Sequence, residues 1–114
     1  MSDDMLEKIK SDIENNKVML FMKGTPEMPQ CGFSFKAAEV LKSLNVKFNS
    51  MDILPDPNIR EVLSAYSNWP TIPQLFVDGK IVGGSDIMMD MYESGELQEL
   101  LGSVGAYDDE KEES

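Results

Sequence analysis

The fold is decided by residues 18 to 41, which read VMLFMKGTPEMPQCGFSFKAAEVL. The first five of these residues are apolar without alternation, which predicts a β-strand covered on both faces. Glycine and proline residues then interrupt the strand, and apolar residues recur at helical spacing from Ala37 to Leu44. The stretch therefore predicts a strand, a loop and a helix, with Cys31 at the point where the loop enters the helix.

The sequence on either side predicts the remaining elements. Upstream, an amphipathic helix is capped by Asp3 or Asp4 and ends near Asn15-Asn16. Downstream, an alternating second strand precedes a third helix, whose apolar stripe runs from Ile59 to Tyr66. These downstream elements are a strand at Val46-Lys47-Phe48-Asn49, a helix starting at Asp56-Pro57, a hairpin around Asp78-Gly79, a helix after Gly83-Gly84-Ser85-Asp86 and a last helix after Gly95.

The order of these elements indicates the fold class. Asp78-Gly79 suits the positive φ angles of a two-residue hairpin turn, so the last two strands are expected to be antiparallel. The first two strands are expected to be parallel, because a right-handed helical crossover joins them. The order αβαβαββαα predicts an α/β fold with a mixed sheet of about four strands flanked by helices. It is compatible with a thioredoxin-like fold.

Chain length and charge limit the function. At 114 residues the chain is long enough for one hydrophobic core and too short for two of ordinary size. We expect one domain over residues 1–104 and an acidic, disordered tail over residues 105–114, where the apolar periodicity ends. The formal charge of −11, from 10 basic and 21 acidic residues, repels polyanions at long range. Nucleic acid is therefore not an expected partner.

Several residue patterns are missing from the sequence. No apolar run approaches the roughly 20 residues that cross a bilayer, so no membrane association is expected. The chain begins MSDD, without the basic and apolar segments of a secretory signal, and we expect it in the cytoplasm. It contains no histidine, which excludes Ser-His-Asp and Cys-His catalysis and any site with histidine ligands.

Cys31 is the single cysteine of the chain, so it has no partner for an internal disulfide. A lone cytosolic cysteine is often an inert, buried apolar side chain. The neighbours of Cys31 favour a functional role instead, because a strand-to-helix loop offers amide groups and a helix dipole that stabilise a thiolate. Lys23, at the end of the preceding strand, could add a positive charge nearby.

The segment Cys31-Gly32-Phe33-Ser34 has the spacing of a Cys-x-x-Cys redox pair, with serine in place of the resolving cysteine. A thiolate in this setting can form a mixed disulfide with another molecule or ligate a metal. Either reaction requires a partner thiol or a second subunit.

Several segments together resemble the monothiol, CGFS-type glutaredoxins in their single-domain form. They are Lys23-Gly24, Pro29, Cys31-Gly32-Phe33-Ser34, Trp69-Pro70-Thr71-Ile72-Pro73-Gln74 and Val82-Gly83-Gly84-Ser85-Asp86. The resemblance runs in order from about Leu6 to Leu101. It implies a thioredoxin-like protein that binds glutathione and is monomeric without metal. As a homodimer it would hold a [2Fe-2S] cluster for iron-sulfur acceptor or assembly proteins.

The resemblance also implies roles for individual residues. Cys31 is the implied cluster ligand, with two chains and two glutathione molecules supplying the thiolates that such a cluster needs. Lys23 and Arg60 would pair with the carboxylate at the glycine end of glutathione. The peptide unit of Ile72 would bond the backbone of glutathione as an added strand does. Pro73, expected to follow a cis peptide bond, would pack near the thiol.

The other implied glutathione contacts have simpler alternatives. Thr71-Ile72-Pro73 could be an ordinary turn. Gly84, Ser85 and Asp86 would receive the γ-glutamyl end, with backbone amides on its carboxylate and Asp86 on its ammonium group. The alternative is simple helix capping, and both roles are possible for the same residues. Members of the family often have cysteine where Ser85 stands, so a second thiol is absent here.

Aromatic and methionine side chains are also weighed against simple packing. Trp69 could shield the site or stack beside the ligand, and Phe33 has the same two interpretations. Nine methionines could suggest a soft-metal site, but most of those in predicted elements fall on core faces. We therefore assign no site to the methionines.

Two other functions would use the same residues. One is a glutathione-dependent reductase of mixed disulfides, in which Cys31 is the nucleophile and free glutathione resolves the intermediate. The other is a redox-sensing or iron-sensing adaptor that acts through protein contacts.

Overall fold

The computed structural model describes residues 2–107, except the side chains of residues 2 and 3. Within these residues, five helices and four strands follow one another in the predicted order αβαβαββαα. Their bounds are α1 Ser2–Asn15, β1 Val18–Met22, α2 Gly32–Ser43, β2 Asn49–Asp52, α3 Pro57–Ser67, β3 Gln74–Val77, β4 Lys80–Gly83, α4 Ser85–Ser94 and α5 Glu96–Ser103.

The four strands form one mixed sheet in the order β2-β1-β3-β4. Strand β1 pairs with β2 in parallel and with β3 antiparallel, and β3 pairs antiparallel with β4. The prediction of a parallel pair joined through a helix, followed by a hairpin, is confirmed. This is the sheet of the thioredoxin-like fold.

Strand β1 is apolar throughout because both of its faces are covered. Val18, Leu20 and Met22 pack into a core that includes residues of α2, α4 and α5. Met19 and Phe21 face the other core, which includes residues of α1 and α3. All five residues of β1 are buried, so the absence of alternation in the sequence was a reliable signal.

Local signals at two turns are also confirmed. Asp78 and Gly79 adopt φ angles of 53° and 83° between β3 and β4, as a type I′ hairpin turn requires. Asp56 is the N-cap of α3, where its side chain accepts a hydrogen bond from the Asn58 N–H at 2.9 Å. Pro57 occupies the first turn of that helix, as predicted.

Three local predictions are wrong. Strand β2 begins at Asn49 and not at Val46. Val46 is buried, but it lies in a coil segment that approaches the sheet, so the alternation before Asn49 reflects burial and not strand pairing. Helix α1 already contains Asp3 and Asp4, so neither residue precedes it as a cap. Tyr66 is 40% exposed, so it does not belong to the buried stripe of α3, which contains Ile59 and Leu63.

The chain after α5 stays packed for a short distance. Ala106 is buried, and its N–H donates to the Leu101 carbonyl oxygen at 2.9 Å. The predicted disorder of the acidic tail falls mainly on residues 108–114, which lie outside the described residues, so the boundary at residue 104 stays a prediction. Within residues 2–107, no helix combines the length and the apolar composition needed to cross a membrane.

Candidate functional site

Cys31 is the N-cap residue of α2, as its position in the sequence predicted. Its backbone is extended, with φ −157° and ψ 139°, and its carbonyl oxygen accepts the Phe35 N–H at 2.8 Å. The side chain makes no capping hydrogen bond and is partly exposed. The first amide groups of the helix are therefore available to the sulfur.

The surroundings of Cys31 lower the pKa of its thiol below the ordinary value of 9.0. The main cause is the backbone N–H of Ser34, whose dipole stabilises the charged sulfur, and the Phe33 N–H adds to it. Partial burial acts in the opposite direction, because it disfavours the charged form. The positive charge of Lys23 and the Ser34 hydroxyl group lower the pKa further. The site therefore favours a reactive thiolate.

Ser34 interacts both with the Cys31 thiol and with Lys23, the residue after β1. It is fully buried, and its Oγ accepts the Lys23 N–H at 3.0 Å. The loop between these two residues begins at Gly24, which has φ +89° and whose N–H donates to Asp52 Oδ1 at 2.9 Å. A Cβ atom on Gly24 would lie 2.5 Å from the Met28 carbonyl oxygen, so this turn requires glycine.

A cavity of about 370 Å³ lies beside this loop. All eight residues that the sequence analysis assigned to glutathione line it, and so do the aromatic side chains of Phe33 and Trp69. The eight are Lys23, Arg60, Thr71, Ile72, Pro73, Gly84, Ser85 and Asp86. Cys31 itself is not among the lining residues, although Phe33, two positions along α2, is. The structure thus brings the predicted binding residues together, while their roles stay predictions.

One wall of the cavity is the loop from Trp69 to Pro73, between α3 and β3. The Ile72–Pro73 peptide bond is cis, as expected from the sequence. Arg60 donates through Nη2 to the Pro70 carbonyl oxygen at 3.3 Å, so it supports the loop as well as lining the cavity.

The opposite wall is the start of α4, where Gly84 is the N-cap. A Cβ atom on Gly84 would lie 3.3 Å from the Pro73 carbonyl oxygen and 3.5 Å from Trp69 Nε1. Ser85 is buried and Asp86 is exposed in the first turn of the helix. The cavity therefore has cationic side chains, Lys23 and Arg60, together with helix amide groups and a carboxylate.

Sequence reasoning gave no role to Gln74, the first residue of β3. Gln74 is fully buried, and its Nε2 donates to the carbonyl oxygens of Trp69 at 2.9 Å and Thr71 at 3.1 Å. A glutamine at the start of an otherwise apolar strand was the signal available in the sequence, because a buried amide needs partners.

Known proteins that are similar to this chain belong to one family. The Glutaredoxin family model matches residues 18–82. A relative from Pasteurella multocida named Glutaredoxin 4 is 52% identical over 103 residues, covering 90% of this chain and 94% of its own. A protein of Synechocystis named as an uncharacterized monothiol glutaredoxin, ycf64-like, is 50% identical over 101 residues, covering 89% of this chain and 94% of its own.

Solved structures agree on the fold. A monomeric truncated mutant of Trypanosoma brucei 1-C-Grx1 superimposes with a TM-score of 0.81 at 40% identity, covering 88% of this chain and 91% of its own. A buckwheat glutaredoxin in complex with glutathione gives a TM-score of 0.81 at 22% identity, covering 92% of this chain and 94% of its own, and so supports the fold alone. The fold, the CGFS segment and these relatives together establish that the chain belongs to the glutaredoxin family, among its monothiol members.

Proposed function

We propose that this chain binds glutathione in the cavity beside Cys31 and carries a [2Fe-2S] cluster between two copies of itself. In this proposal the apo protein is a monomer, and the cluster is cargo that the dimer releases to iron-sulfur acceptor or assembly proteins in the cytoplasm. Such transfer would place the protein in iron-sulfur assembly and iron homeostasis. The observation that carries the proposal is one partly exposed thiol of lowered pKa, without a second cysteine, beside a cavity of suitable charge.

The chemistry of the cavity matches that of glutathione, a tripeptide with a carboxylate at each end and an ammonium group at one end. Lys23 and Arg60 suit the carboxylate of the glycine end, because charged donors bind carboxylates strongly. The first amide groups of α4 suit the other carboxylate, and Asp86 suits the ammonium group. A buckwheat glutaredoxin of the same fold has been solved in complex with glutathione.

The donor set of the chain suits a shared cluster. A [2Fe-2S] cluster generally needs four ligands, commonly thiolates, and each chain has one cysteine and no histidine. Within residues 2–107, no group of three or more acidic, cysteine or histidine side chains is arranged to hold a metal. Two copies of Cys31 and two glutathione thiolates would complete the set.

Anaerobic reconstitution with iron, sulfide and glutathione tests the proposal. We expect a coloured dimer by absorption spectroscopy and size-exclusion chromatography, because each half of the ligand set comes from one chain and one glutathione. The Cys31→Ser variant should remain a colourless monomer, and so should the parent protein when glutathione is omitted. A parent protein that stays colourless with all components present would contradict the proposal.

A second candidate function is the reduction of mixed disulfides with glutathione. The lowered pKa and partial exposure of Cys31 favour it, because a thiolate is the attacking species. The Cys31 thiolate would attack the glutathione sulfur of a glutathionylated substrate and expel the substrate thiolate. A second glutathione thiolate would then attack the Cys31 adduct, giving oxidised glutathione and restoring Cys31.

Turnover separates the two functions. A deglutathionylation assay with a small glutathionylated substrate should give far less activity than a dithiol glutaredoxin measured in parallel. Comparable turnover by this chain would make the reductase its main function. An adaptor role would instead require that a partner protein binds the cluster-loaded and apo forms with different affinity.

A further inference from the structure

The loop from Trp69 to Pro73 is held by side chains and not by strand pairing. Three successive carbonyl oxygens accept side-chain hydrogen bonds: those of Trp69 and Thr71 from Gln74 Nε2, and that of Pro70 from Arg60 Nη2. Gln74 Nε2 also lies 3.4 Å from Ser64 Oγ in α3. Gln74 thus connects the loop to the strand after it and the helix before it.

The hydrogen bond from Gln74 Nε2 to the Thr71 carbonyl oxygen determines the direction of the Ile72 N–H. The peptide bond between Thr71 and Ile72 is trans, so its C=O and N–H point in opposite directions. The carbonyl oxygen points to the buried amide of Gln74, on the side of the sheet where its strand partner Phe21 is also buried. The Ile72 N–H must therefore point away from Gln74. Ile72 has no hydrogen bond through that N–H to any residue in the part of the chain that the structure describes.

We propose that Gln74 is a positioning residue, whose side-chain amide holds the Trp69 and Thr71 carbonyl groups so that the Ile72 N–H is presented for hydrogen bonding to the backbone of glutathione. This inference rests on the proposed function, because it assigns the ligand of the cavity. It adds a buried residue that does not itself line the cavity.

The burial of Gln74 supports this role. Its side chain is fully buried, and Oε1 has no hydrogen-bond partner within residues 2–107. A buried amide that leaves its own oxygen unpaired costs stability, whereas a methionine of similar size would not carry that cost. Only the Nε2 donor, directed to the loop and to Ser64, offsets it. The hydrogen bonds of Nε2 therefore account for an amide side chain at this buried position.

Gln98 provides a matched control. It is a second amide whose Oε1 is buried without a partner among residues 2–107, and its Nε2 donates to the Tyr92 carbonyl oxygen at 3.3 Å. Gln98 lies in α5 and does not line the cavity. Loss of its donor should affect stability without moving the loop from Trp69 to Pro73.

The experiment compares the parent protein with the variants Gln74→Met and Gln98→Met. Trp69 is the only tryptophan and lines the cavity, so its fluorescence reports glutathione binding. We expect Gln74→Met to raise the Kd for reduced glutathione about tenfold, as for the loss of one well-placed hydrogen bond. Gln98→Met should bind like the parent protein. Equal Kd values for folded Gln74→Met and the parent protein would overturn the inference.

The variant Gln74→Glu gives a pH signature that a general loss of packing would not give. It keeps the size of the side chain but replaces the donor by a carboxylate oxygen facing two carbonyl oxygens. Burial should raise the pKa of this carboxyl group, so that it is protonated and donates one hydrogen bond only at low pH. Relative to the parent protein, its affinity should recover as the pH falls from about 8 to about 5. A constant ratio of the two Kd values across this range would count against the inference.

A measurement without glutathione separates this inference from the proposed function. In the apo protein, the backbone amide resonances of Thr71 and Ile72 should shift in Gln74→Met and remain in place in Gln98→Met. If these resonances do not respond to Gln74→Met, the positioning role is wrong. If they respond but the parent protein does not bind glutathione, the proposed function fails and the structural role of Gln74 stands.

Discussion

Two cavities at opposite ends of β1 differ in chemistry more than in size. One borders Val18, where β1 begins, and has a volume of about 490 Å³. The other includes Lys23, just past the end of β1, and has a volume of about 370 Å³. The larger cavity has Asn16 and Asn49 in its wall, and it contains no thiol. The smaller one lies beside Cys31 and includes the start of α4. Each cavity has two cationic side chains in its wall: Lys17 and Lys47 in the larger, Lys23 and Arg60 in the smaller.

For the proposed glutathione site, unused hydrogen-bonding capacity is a better guide than volume. In the larger cavity, Asn49 Nδ2 donates to Asn16 Oδ1, and Asn16 Nδ2 donates to the Asp12 carbonyl oxygen at 2.8 Å. In the smaller cavity, the Ile72 N–H has no partner within the described residues. Polar groups that are already paired bring little to a ligand, because binding must replace bonds that exist.

Moving the thiol from beside the smaller cavity into the wall of the larger one should have the largest effect. In the double variant Cys31→Ser and Asn49→Cys, the thiol lies at the start of β2 and not at a helix N-terminus. We expect a thiol pKa near the ordinary 9.0 and no coloured dimer, because the amide groups of Ser34 and Phe33 no longer act on the sulfur. The pH dependence of alkylation by iodoacetamide measures the pKa.

The sign of this pH effect follows from the lowered pKa of Cys31. The folded parent protein binds a proton less readily than a model thiol, so its alkylation should persist to lower pH than that of the relocated thiol. The stabilisation of the folded state by the thiolate is present above the unfolded-state pKa and is lost as the pH falls through the folded-state pKa. Identical alkylation profiles for the two proteins would contradict the assigned role of the helix N-terminus.

Removing one cation from each cavity should have the next largest effect. Arg60→Gln should raise the Kd for glutathione about tenfold, because a charged donor to a carboxylate is lost. Lys17→Gln removes a cation from the wall of the larger cavity and should leave the Kd unchanged. Titrations of Trp69 fluorescence in both variants make the comparison. Equal losses of affinity would mean that the overall charge of the chain matters and the location of Arg60 does not.

Adding one methyl group should have the smallest effect. In Gly84→Ala, the new Cβ would lie 3.3 Å from the Pro73 carbonyl oxygen, so the cavity walls must shift by a few tenths of an ångström. We expect glutathione binding to weaken a few-fold with the fold intact. Gly102→Ala in α5 meets no atom within 4 Å and should raise the free energy of unfolding by up to about 1 kcal/mol. Calorimetry and glutathione titration of both variants measure these effects, and unchanged affinity in Gly84→Ala would place the ligand elsewhere.

Much of the fold could be predicted because its signals are local. The uniform apolar character of β1, the cap at Asp56 and the turn at Asp78-Gly79 each depend on neighbouring residues. The start of β2 could not be predicted, because it is an edge strand without a buried residue and its register depends on pairing with Met19. Sequence alternation there reflected burial and not strand pairing.

The candidate site also has a part that local sequence predicts and a part that depends on distant residues. The sequence alone determined that one thiol lies at a helix N-terminus without a resolving cysteine, because Cys31 and its amide donors are neighbours in the chain. Only the tertiary structure decided which distant segments meet beside it and that Gln74 supports them. The physical reason is sheet register: Phe21 pairs with Gln74 and Leu75 with Gly83, which brings the Trp69–Pro73 loop and the start of α4 to the end of β1.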